Sequence, residues 1–260
     1  MCGRYASSRR PEDLVEEFEI DRSEVAAPLE ADFNVAPTKE VYAVLQRPAS
    51  KEKDRPSQRQ LRVVTWGLVP SWAKDPSIGN RMINARVETV ADKPAYRRAF
   101  AARRCLLPAD GYFEWYTLSL DEDGSQEPGA RKARPRKQPF FIRPADGSVM
   151  AMAGLYEIWR DPARGEDDPL RFRWTCTVLT TRAEDDLGHI HDRMPLLVDR
   201  EAYASWLDPT QADPDVLHGL LVPAAPGRLQ AYPVSTLVNN VRNNGPELLE
   251  PLAPEPPPQA

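Results

Sequence analysis

The sequence predicts an α+β fold whose core is a curled antiparallel β-sheet or barrel with short flanking helices. Strand-like runs of apolar residues outnumber helical runs, and the helical runs are short and scattered. The two kinds of run do not alternate regularly, as a parallel α/β sheet would require. With 260 residues, 41% of them hydrophobic, the chain can bury a sizeable core. No linker rich in proline, glycine and serine interrupts the middle, so we predict one domain over residues 1–250.

The predicted helices are short and amphipathic. Residues 11–18 (PEDLVEEF) place proline and two acids in a first turn, which is typical of a helix start. Residues 93–104 (KPAYRRAFAARR) form a longer amphipathic run rich in alanine and arginine. Three further short helices are predicted at 183–187, 200–206 and 213–220.

The strands are predicted from apolar runs bounded by turn residues. The stretch FNVAPTKEVYAVLQ indicates a turn around Pro37 followed by a strand, and residues 60–66 form a strand that ends at Gly67. CLLPADGYFEWY has the pattern strand, turn, strand. Further strands are predicted near 139–143, 149–158, 172–181 and 194–198.

Two segments have the composition of chain without a packed core. Residues 119–138 mix Asp, Glu, Gly and Pro and then turn basic in RKARPRK, which predicts a flexible insertion. The proline-rich residues 251–260 are predicted to be a disordered tail.

Composition and charge narrow the classes of function. The net charge of −5 gives no global basic signal, so a nucleic-acid role requires a local positive groove. No apolar run approaches the roughly 20 residues that span a membrane, and the amino terminus lacks the apolar core of a secretion signal. The three cysteines are far apart and odd in number, which fits a reducing cytosol. No zinc-ligand spacing is present, and the pair His189 and His191 is more typical of structure than of metal binding, so we expect no metal and no cofactor.

The opening residues, MCGRY, carry a chemistry that no other position offers. If Met1 is removed, Cys2 bears an α-amine and a thiol on adjacent carbons. The amine can form a Schiff base with an aldehyde, and the thiol can then close a five-membered thiazolidine ring in an intramolecular step. Gly3 allows close backbone approach and Arg4 can grip a phosphate with two hydrogen bonds. A small residue at a disordered chain start is the competing interpretation.

Two further stretches offer proton-transfer groups. In FEWY, Glu114 lies between Phe113 and Trp115 on a strand, so it faces away from both and has the surroundings that raise a carboxyl pKa. In HIHDRMP, His191 offers an imidazole as a proton carrier, and Arg193 lies two residues on, on the same face of an extended segment. A solvated carboxylate and a core histidine are the competing structural interpretations.

Two more stretches suggest a binding surface. MINARVET alternates so that Asn84, Arg86 and Glu88 share one face, which favours a site over a solvated Lys/Glu face. WGLVPSW places Trp66 and Trp72 around a Gly/Pro turn, which can belong to the core or can stack on or wedge between bases.

Taken in order, these motifs resemble those of the SRAP family, the SOS response-associated peptidase-like proteins. The match runs from MCGRY through FNVAP, WGLVPSW, NARVET, LPADGYFEW, TT and HDRMP to PVSTLVN, over about residues 1–245. Each motif alone is weak evidence for this family, whereas the ordered set of motifs is specific to it. The resemblance implies a curled β-sheet with a positive cleft and covalent capture of abasic sites in single-stranded DNA.

The resemblance also implies roles for individual residues. Cys2 would form the thiazolidine, Asn84 would position the amine or the sugar, Glu114 would act as acid and base, and His191 would assist proton transfer. The expected DNA contacts are listed together: Arg4, Pro37, Trp66, Pro70, Arg86, Thr180 and Arg193. A peptidase-like activity could remove residues ahead of Cys2. Whether the protein also has a weak lyase activity stays an open question at this stage. The long insertion and the acidic net charge depart from what a compact family member would show.

Two other classes of function stay open. An N-terminal-nucleophile amidohydrolase or peptidase would also use a terminal cysteine, through a thioester. A noncovalent single-stranded DNA binder would bind in a salt-dependent manner without preferring abasic strands. We expect a monomer in the cytoplasm, associated with the nucleoid, with abasic single-stranded DNA as partner and no membrane contact.

Overall fold

The computed structural model describes residues 2–48, 57–118, 136–183, 187–221, 225 and 227–253, and these form thirteen strands and four α-helices. The strands are β1 (Tyr5–Ser7), β2 (Arg22–Ser23), β3 (Asp32–Val35), β4 (Glu40–Pro48), β5 (Ser57–Trp66), β6 (Asn84–Arg86), β7 (Arg104–Ala109), β8 (Gly111–Thr117), β9 (Lys137–Pro144), β10 (Met150–Arg160), β11 (Phe172–Arg182), β12 (Arg193–Pro195) and β13 (Leu229–Pro233). The helices are α1 (Pro11–Glu17), α2 (Arg97–Ala102), α3 (Tyr203–Leu207) and α4 (Pro214–Gly219). Short 3-10 turns lie between them, among them Pro76–Arg81, Val87–Thr89 and Thr236–Asn239.

Five strands close into a barrel. The order β11-β10-β7-β4-β5 is antiparallel throughout, and β5 returns to β11 through a parallel pairing of Thr65 with Thr175 and Trp66 with Cys176. Strands β12 and β6 extend β11, and β2 extends β5. The α+β fold with a barrel-like core is therefore confirmed. The pairings of β5 and β6 with β11 and of β2 with β5 are parallel, whereas the other strand pairs of this sheet are antiparallel.

A second sheet of five strands stands beside the barrel, in the order β13-β9-β8-β1-β3. Strand β1 lies inside this sheet, between β8 and β3, with Tyr5 paired to both Tyr112 and Val35. The expected single curled sheet is thus two sheets. The consequence for the site is that the amino-terminal segment is held as an interior strand.

The core divides between the barrel interior and the helix-covered outer face. Trp66, Cys105, Cys176 and Tyr156 are buried in the cluster that also contains Cys2. The helices pack on the other cluster, where Arg104 is fully enclosed and donates to the carbonyl of Trp206 at 2.6 Å and to that of Phe100 at 2.7 Å. These bonds satisfy carbonyls near the ends of α2 and α3, where helix geometry leaves them without partners.

The predicted helices agree with the structure to different degrees. The first is confirmed as α1, whereas the run 93–104 forms an α-helix only over Arg97–Ala102. Its first residues make a turn around Pro94, and its last residue already belongs to β7. The predictions at 119–135, at 184–186 and at 254–260 lie outside the described residues. Within the described part of the chain, no helix has the length and apolar character needed to cross a membrane.

Candidate active site

The amino terminus is placed against the strand that carries Glu114. The pairing of β1 with β8 continues beyond Tyr5, because the Phe113 N–H donates to the Arg4 carbonyl at 2.9 Å. Since the strands are antiparallel, the residues before Arg4 run alongside Glu114. Cys2 is fully buried, and Glu114 is 3% exposed.

Asn84 fixes Cys2 from the opposite side. Strand β6 runs parallel to β11, with Asn84 paired to Val178, and its side-chain amide donates to the Cys2 carbonyl at 2.8 Å. The Tyr96 hydroxyl donates to the backbone carbonyl of Asn84 at 3.3 Å. The side-chain oxygen Oδ1 of Asn84 is buried, and no donor in the described parts of the chain bonds to it. An acceptor is therefore available next to Cys2.

The electrostatics of the site couple Cys2, Glu114 and His191. Burial raises the pKa of the Cys2 thiol far above its ordinary value, and the charge of Glu114 adds to the rise. Burial also raises the pKa of the Glu114 carboxyl, and nearby positive charge, including that of His191, opposes the rise in part. A carboxyl with a raised pKa can exchange protons nearer to neutral pH than an ordinary one.

His191 lies at the start of a tight turn leading into β12. Its Nδ1 accepts from the backbone N–H of Arg193 at 2.9 Å and is 3.0 Å from the exposed Asp192 carboxylate. The structure thus brings Cys2, Asn84, Glu114 and His191 together.

The Arg193 guanidinium is engaged by protein groups, and its contact with DNA stays a prediction. Its guanidinium makes two bonds to the Glu88 carboxylate, at 2.6 and 3.1 Å, and two to Thr180, at 2.6 Å to the carbonyl and 3.2 Å to the hydroxyl. Arg193 lowers the pKa of Glu88 through these bonds. The turn at His191 breaks the extended alternation that the prediction assumed, so the two side chains point to different places. Thr180 is itself 1% exposed and its hydroxyl is 3.5 Å from the Ala85 carbonyl.

An open, charged cleft lies next to these residues. It has a volume of about 600 Å³ and is lined by Arg86, Glu88, Thr89, Arg182, Ala183, Gly188, Asp192 and Arg193. Arg86 is exposed in this cleft, and Arg182 joins it from the end of β11. Glu88 is not on the strand with Asn84 and Arg86, because β6 ends at Arg86 and a 3-10 turn follows over Val87–Thr89.

Arg4 is held by a network that the sequence did not indicate. Its Nη1 donates to Asn34 Oδ1 at 2.7 Å and to the Val238 carbonyl at 2.9 Å, and its guanidinium carbon lies 5.8 Å from the centre of the Trp115 ring. Burial lowers the pKa of Arg4. Asn34 is fully buried and donates to three carbonyls, those of Val238, Asn240 and Asn243. The polar residue amid apolar neighbours in FNVAP was the available signal for this position.

Trp66 and Pro70, which were expected to contact DNA, are buried, so Trp66 follows the core interpretation of WGLVPSW and the DNA contact of the two residues stays a prediction. The Trp66 indole N–H donates to the Ile83 carbonyl at 2.9 Å, and the ring meets that of Tyr5 edge-on at 5.1 Å. The turn folds inward because Gly67 has φ +130° and its position lies so close to Gly79 that a Cβ there would be 2.7 Å from the Gly79 carbonyl oxygen. Trp72, 58% exposed, is the aromatic residue that this turn presents to solvent.

Pro37 and His189 are the remaining residues that the sequence analysis singled out. Pro37 is half-buried in the turn between β3 and β4, before Thr38, whose N–H donates to the Trp66 carbonyl at 2.8 Å. His189 is exposed and contacts the ring of Tyr116. A search of the described residues finds no group of three or more His, Cys, Asp or Glu side chains arranged to hold a metal ion.

The fold and the site define a β-barrel protein whose second residue, a cysteine, is enclosed with an asparagine, a glutamate and a histidine. The chain belongs to the SOS response associated peptidase (SRAP) family, whose model matches residues 1–241. The resemblance drawn from the motifs is therefore confirmed.

Known relatives span the whole chain. The abasic site processing protein YoqW of Bacillus subtilis is 37% identical over 250 residues, which cover 96% of this chain and 99% of the relative. The abasic site processing protein YedK of Escherichia coli is 32% identical over 259 residues, covering 97% and 100%. The abasic site processing protein HMCES of Gallus gallus is 33% identical over 243 residues, covering 85% of this chain and 66% of the relative. A crystal structure of a Bacteroides thetaiotaomicron protein superimposes with a TM-score of 0.74 at 23% identity, covering 97% of this chain and all of the other, and supports the fold.

Proposed function

We propose that this protein processes abasic sites in DNA, and that it does so by forming a covalent thiazolidine crosslink through Cys2 in single-stranded DNA. The relatives named as abasic site processing proteins support the class of lesion. The observation that carries the finer proposal is the enclosure of Cys2 between the Asn84 amide, at 2.8 Å, and the buried Glu114 carboxyl. A terminal residue without a function would not need both contacts.

The chemistry requires that Met1 be removed, because the nitrogen of Cys2 is otherwise part of a peptide bond. The free amine then adds to the aldehyde of the ring-opened abasic sugar, and loss of water gives an imine. The thiol sulfur adds to the same carbon, and the thiol proton passes to the nitrogen, which closes the thiazolidine. No redox partner is needed.

Glu114 is suited to the proton transfers in this sequence. Protonated, it can donate to the sugar oxygen as the ring opens and to the hydroxyl that leaves as water. Ionised, it can accept the thiol proton as the sulfur adds to the imine carbon, and pass that proton to the nitrogen. His191, electrostatically coupled to Glu114, assists these transfers and the reverse reaction.

Asn84 and the arginines would position the strand. The buried Oδ1 of Asn84 can accept a hydrogen bond from the free α-amine, which orients its lone pair toward the sugar carbon. Arg86 and Arg4 would bind phosphates, which is supported by the exposure of Arg86 in the cleft and by the position of Arg4 beside Trp115. Arg193 and Thr180 hold the cleft wall together through Glu88.

We further propose that the protein acts as a monomer in the cytoplasm, near the nucleoid. The imine intermediate also permits a weak lyase reaction, because it acidifies the adjacent C2′–H and favours elimination of the 3′ phosphate. Removal of Met1 by the protein itself is the peptidase activity that the family description suggests.

The test is an adduct assay with a single-stranded oligonucleotide that carries one abasic site. A chain beginning at Cys2 should give an SDS-stable adduct, and intact mass spectrometry should show one strand per chain. Cys2→Ala should give no stable adduct, although its free amine should still be trapped as an imine by borohydride. The matched control is Cys105→Ala, since Cys105 is also a buried thiol of the barrel interior and has no part in the proposed reaction.

Three outcomes would contradict the proposal. An equal yield of adduct from Cys2→Ala without reductant would remove the thiol from the mechanism. Release of ammonia from glutamine, with no adduct, would favour an N-terminal-nucleophile amidohydrolase. Equal affinity for intact and abasic strands, again with no adduct, would favour a noncovalent single-strand binder.

A further inference from the structure

Beside the acid and base residues lies a pair of rings that the proposed chemistry does not use. Tyr116 follows Glu114 by two residues on β8, so the two side chains share a face of the strand, about 7 Å apart along it. His189 precedes His191 by two residues in the turn leading to β12. Each chain segment that supplies a proton-transfer group therefore also supplies an aromatic ring two residues away.

The two rings meet across the site. The centroids of Tyr116 and His189 are 6.1 Å apart and the ring planes are inclined at 64°, so the rings form the two walls of a corner. Phe140 lies behind Tyr116, with its centroid 6.4 Å away and its ring at 81°. His189 is exposed and Tyr116 is half-buried. One wall is thus fixed by packing, and the other faces solvent.

Trp115, the aromatic residue next to Tyr116, does not belong to the corner formed by Tyr116 and His189. Trp115 faces the opposite side of β8, where its indole N–H donates to Asn239 Oδ1 at 2.6 Å and its ring lies beside Arg4. Of the two aromatic residues after Glu114, only Tyr116 is on the glutamate's face of the strand.

We propose that Tyr116 and His189 form a subsite for an unstacked nucleobase next to the lesion. The inference rests on the proposed function, since a sugar bound at Cys2 brings the flanking nucleotide to this side of Glu114. A base can stack on the face of one ring and meet the second ring at its edge, which is the arrangement that single-strand binding proteins use without reading sequence. Purines, with the larger ring area, should bind better than pyrimidines.

The test uses oligonucleotides with a tetrahydrofuran in place of the abasic sugar, which binds but does not react. A 2-aminopurine is placed on the 5′ side of the lesion in one strand and on the 3′ side in another. Stacking on Tyr116 and His189 should quench its fluorescence on one of the two sides. Tyr116→Ala and His189→Ala should each remove the quenching and weaken binding of the purine-flanked strand about fivefold or more. Tyr116→Phe, which keeps the ring, should retain both.

Phe172→Ala is the matched control, because Phe172 is 50% exposed on the same barrel but at the opposite end of β11 from Thr180. It should leave quenching and affinity unchanged. Unchanged quenching in both Tyr116→Ala and His189→Ala would overturn the subsite, even if the reactive abasic strand forms its adduct normally. Failure of the proposed function has a different signature, namely the absence of an adduct from the unsubstituted chain beginning at Cys2.

Discussion

Replacing Asn34 with alanine should destabilise the protein more than any single loss of a surface contact, although Asn34 touches no proposed reactant. Its amide nitrogen donates to the carbonyls of Val238, Asn240 and Asn243 at 3.3, 3.1 and 2.9 Å, and its oxygen accepts from Arg4 at 2.7 Å. Each full hydrogen bond contributes about 1 kcal/mol, and alanine leaves buried or partly buried partners without a replacement. The amide nitrogen has two hydrogens for its three carbonyls, so the contacts amount to about three full bonds, and with the cost of the unpaired partners the loss is about 3–5 kcal/mol in the free energy of unfolding.

The loss can be measured by urea denaturation, and as a fall of about 6–15 °C in Tm. The control is Asn244→Ala, because Asn244 joins the same two segments through two exposed bonds, from the Phe33 N–H at 2.7 Å and to the Ala31 carbonyl at 3.1 Å. Water replaces exposed bonds readily, so this variant should lose less than about 1 kcal/mol. A loss for Asn34→Ala no greater than that of Asn244→Ala would refute the reasoning.

Three further predictions concern charged groups of the site. Glu114→Gln should slow adduct formation by about 10²–10⁴-fold. Because burial raises the pKa of Glu114, the folded state binds the carboxyl proton more tightly than the unfolded state, so above the raised pKa the variant should be more stable than the unsubstituted protein. This difference in stability should vanish as the pH falls below the ordinary carboxyl pKa, which thermal unfolding at several pH values would show. Arg86→Ala and Arg182→Ala should each reduce the slope of log affinity against log salt for single-stranded DNA by about 0.7, and an unchanged slope would exclude phosphate contact. Glu88→Gln should lower the free energy of unfolding by roughly 1–2 kcal/mol at neutral pH, because it leaves Arg193 without its carboxylate. Because Arg193 lowers the pKa of Glu88, this difference should shrink as the pH falls below the ordinary carboxyl pKa.

Features governed by local periodicity could be predicted from the sequence. The helix α1 and the long strands β5, β10 and β11 carry their patterns within a few residues, and the barrel follows from having many such strands. The ends of these elements were harder to predict, because contacts with residues distant in the chain decide where each element ends. The run 93–104 reads as one helix, yet only Arg97–Ala102 is helical, since Arg104 is taken into β7.

The surroundings of several site residues depend on contacts between distant parts of the chain. WGLVPSW indicates a turn, but the close approach of Gly67 to Gly79, twelve residues further along the chain, lies outside that motif. HDRMP suggests that His191 and Arg193 share a face, and the turn closed by the bond from the Arg193 N–H to His191 Nδ1 separates them. Asn34 bonds to partners more than 200 residues away, so no local pattern could assign its contacts.

The position of β1 supports the proposal that the amino-terminal cysteine carries out covalent chemistry. Terminal residues are ordinarily the least ordered part of a domain, and an amine on a fraying end would lose the advantage that fixed geometry gives to ring closure. Here Tyr5–Ser7 is paired on both edges, Arg4 is bound to Asn34, and Cys2 is bound to Asn84, so the ordering of the terminus is part of folding itself. It follows that loosening β3 or the 236–243 segment should slow capture of the aldehyde without touching a reacting atom. We therefore expect the stability of the second sheet and the reactivity proposed for Cys2 to decrease together.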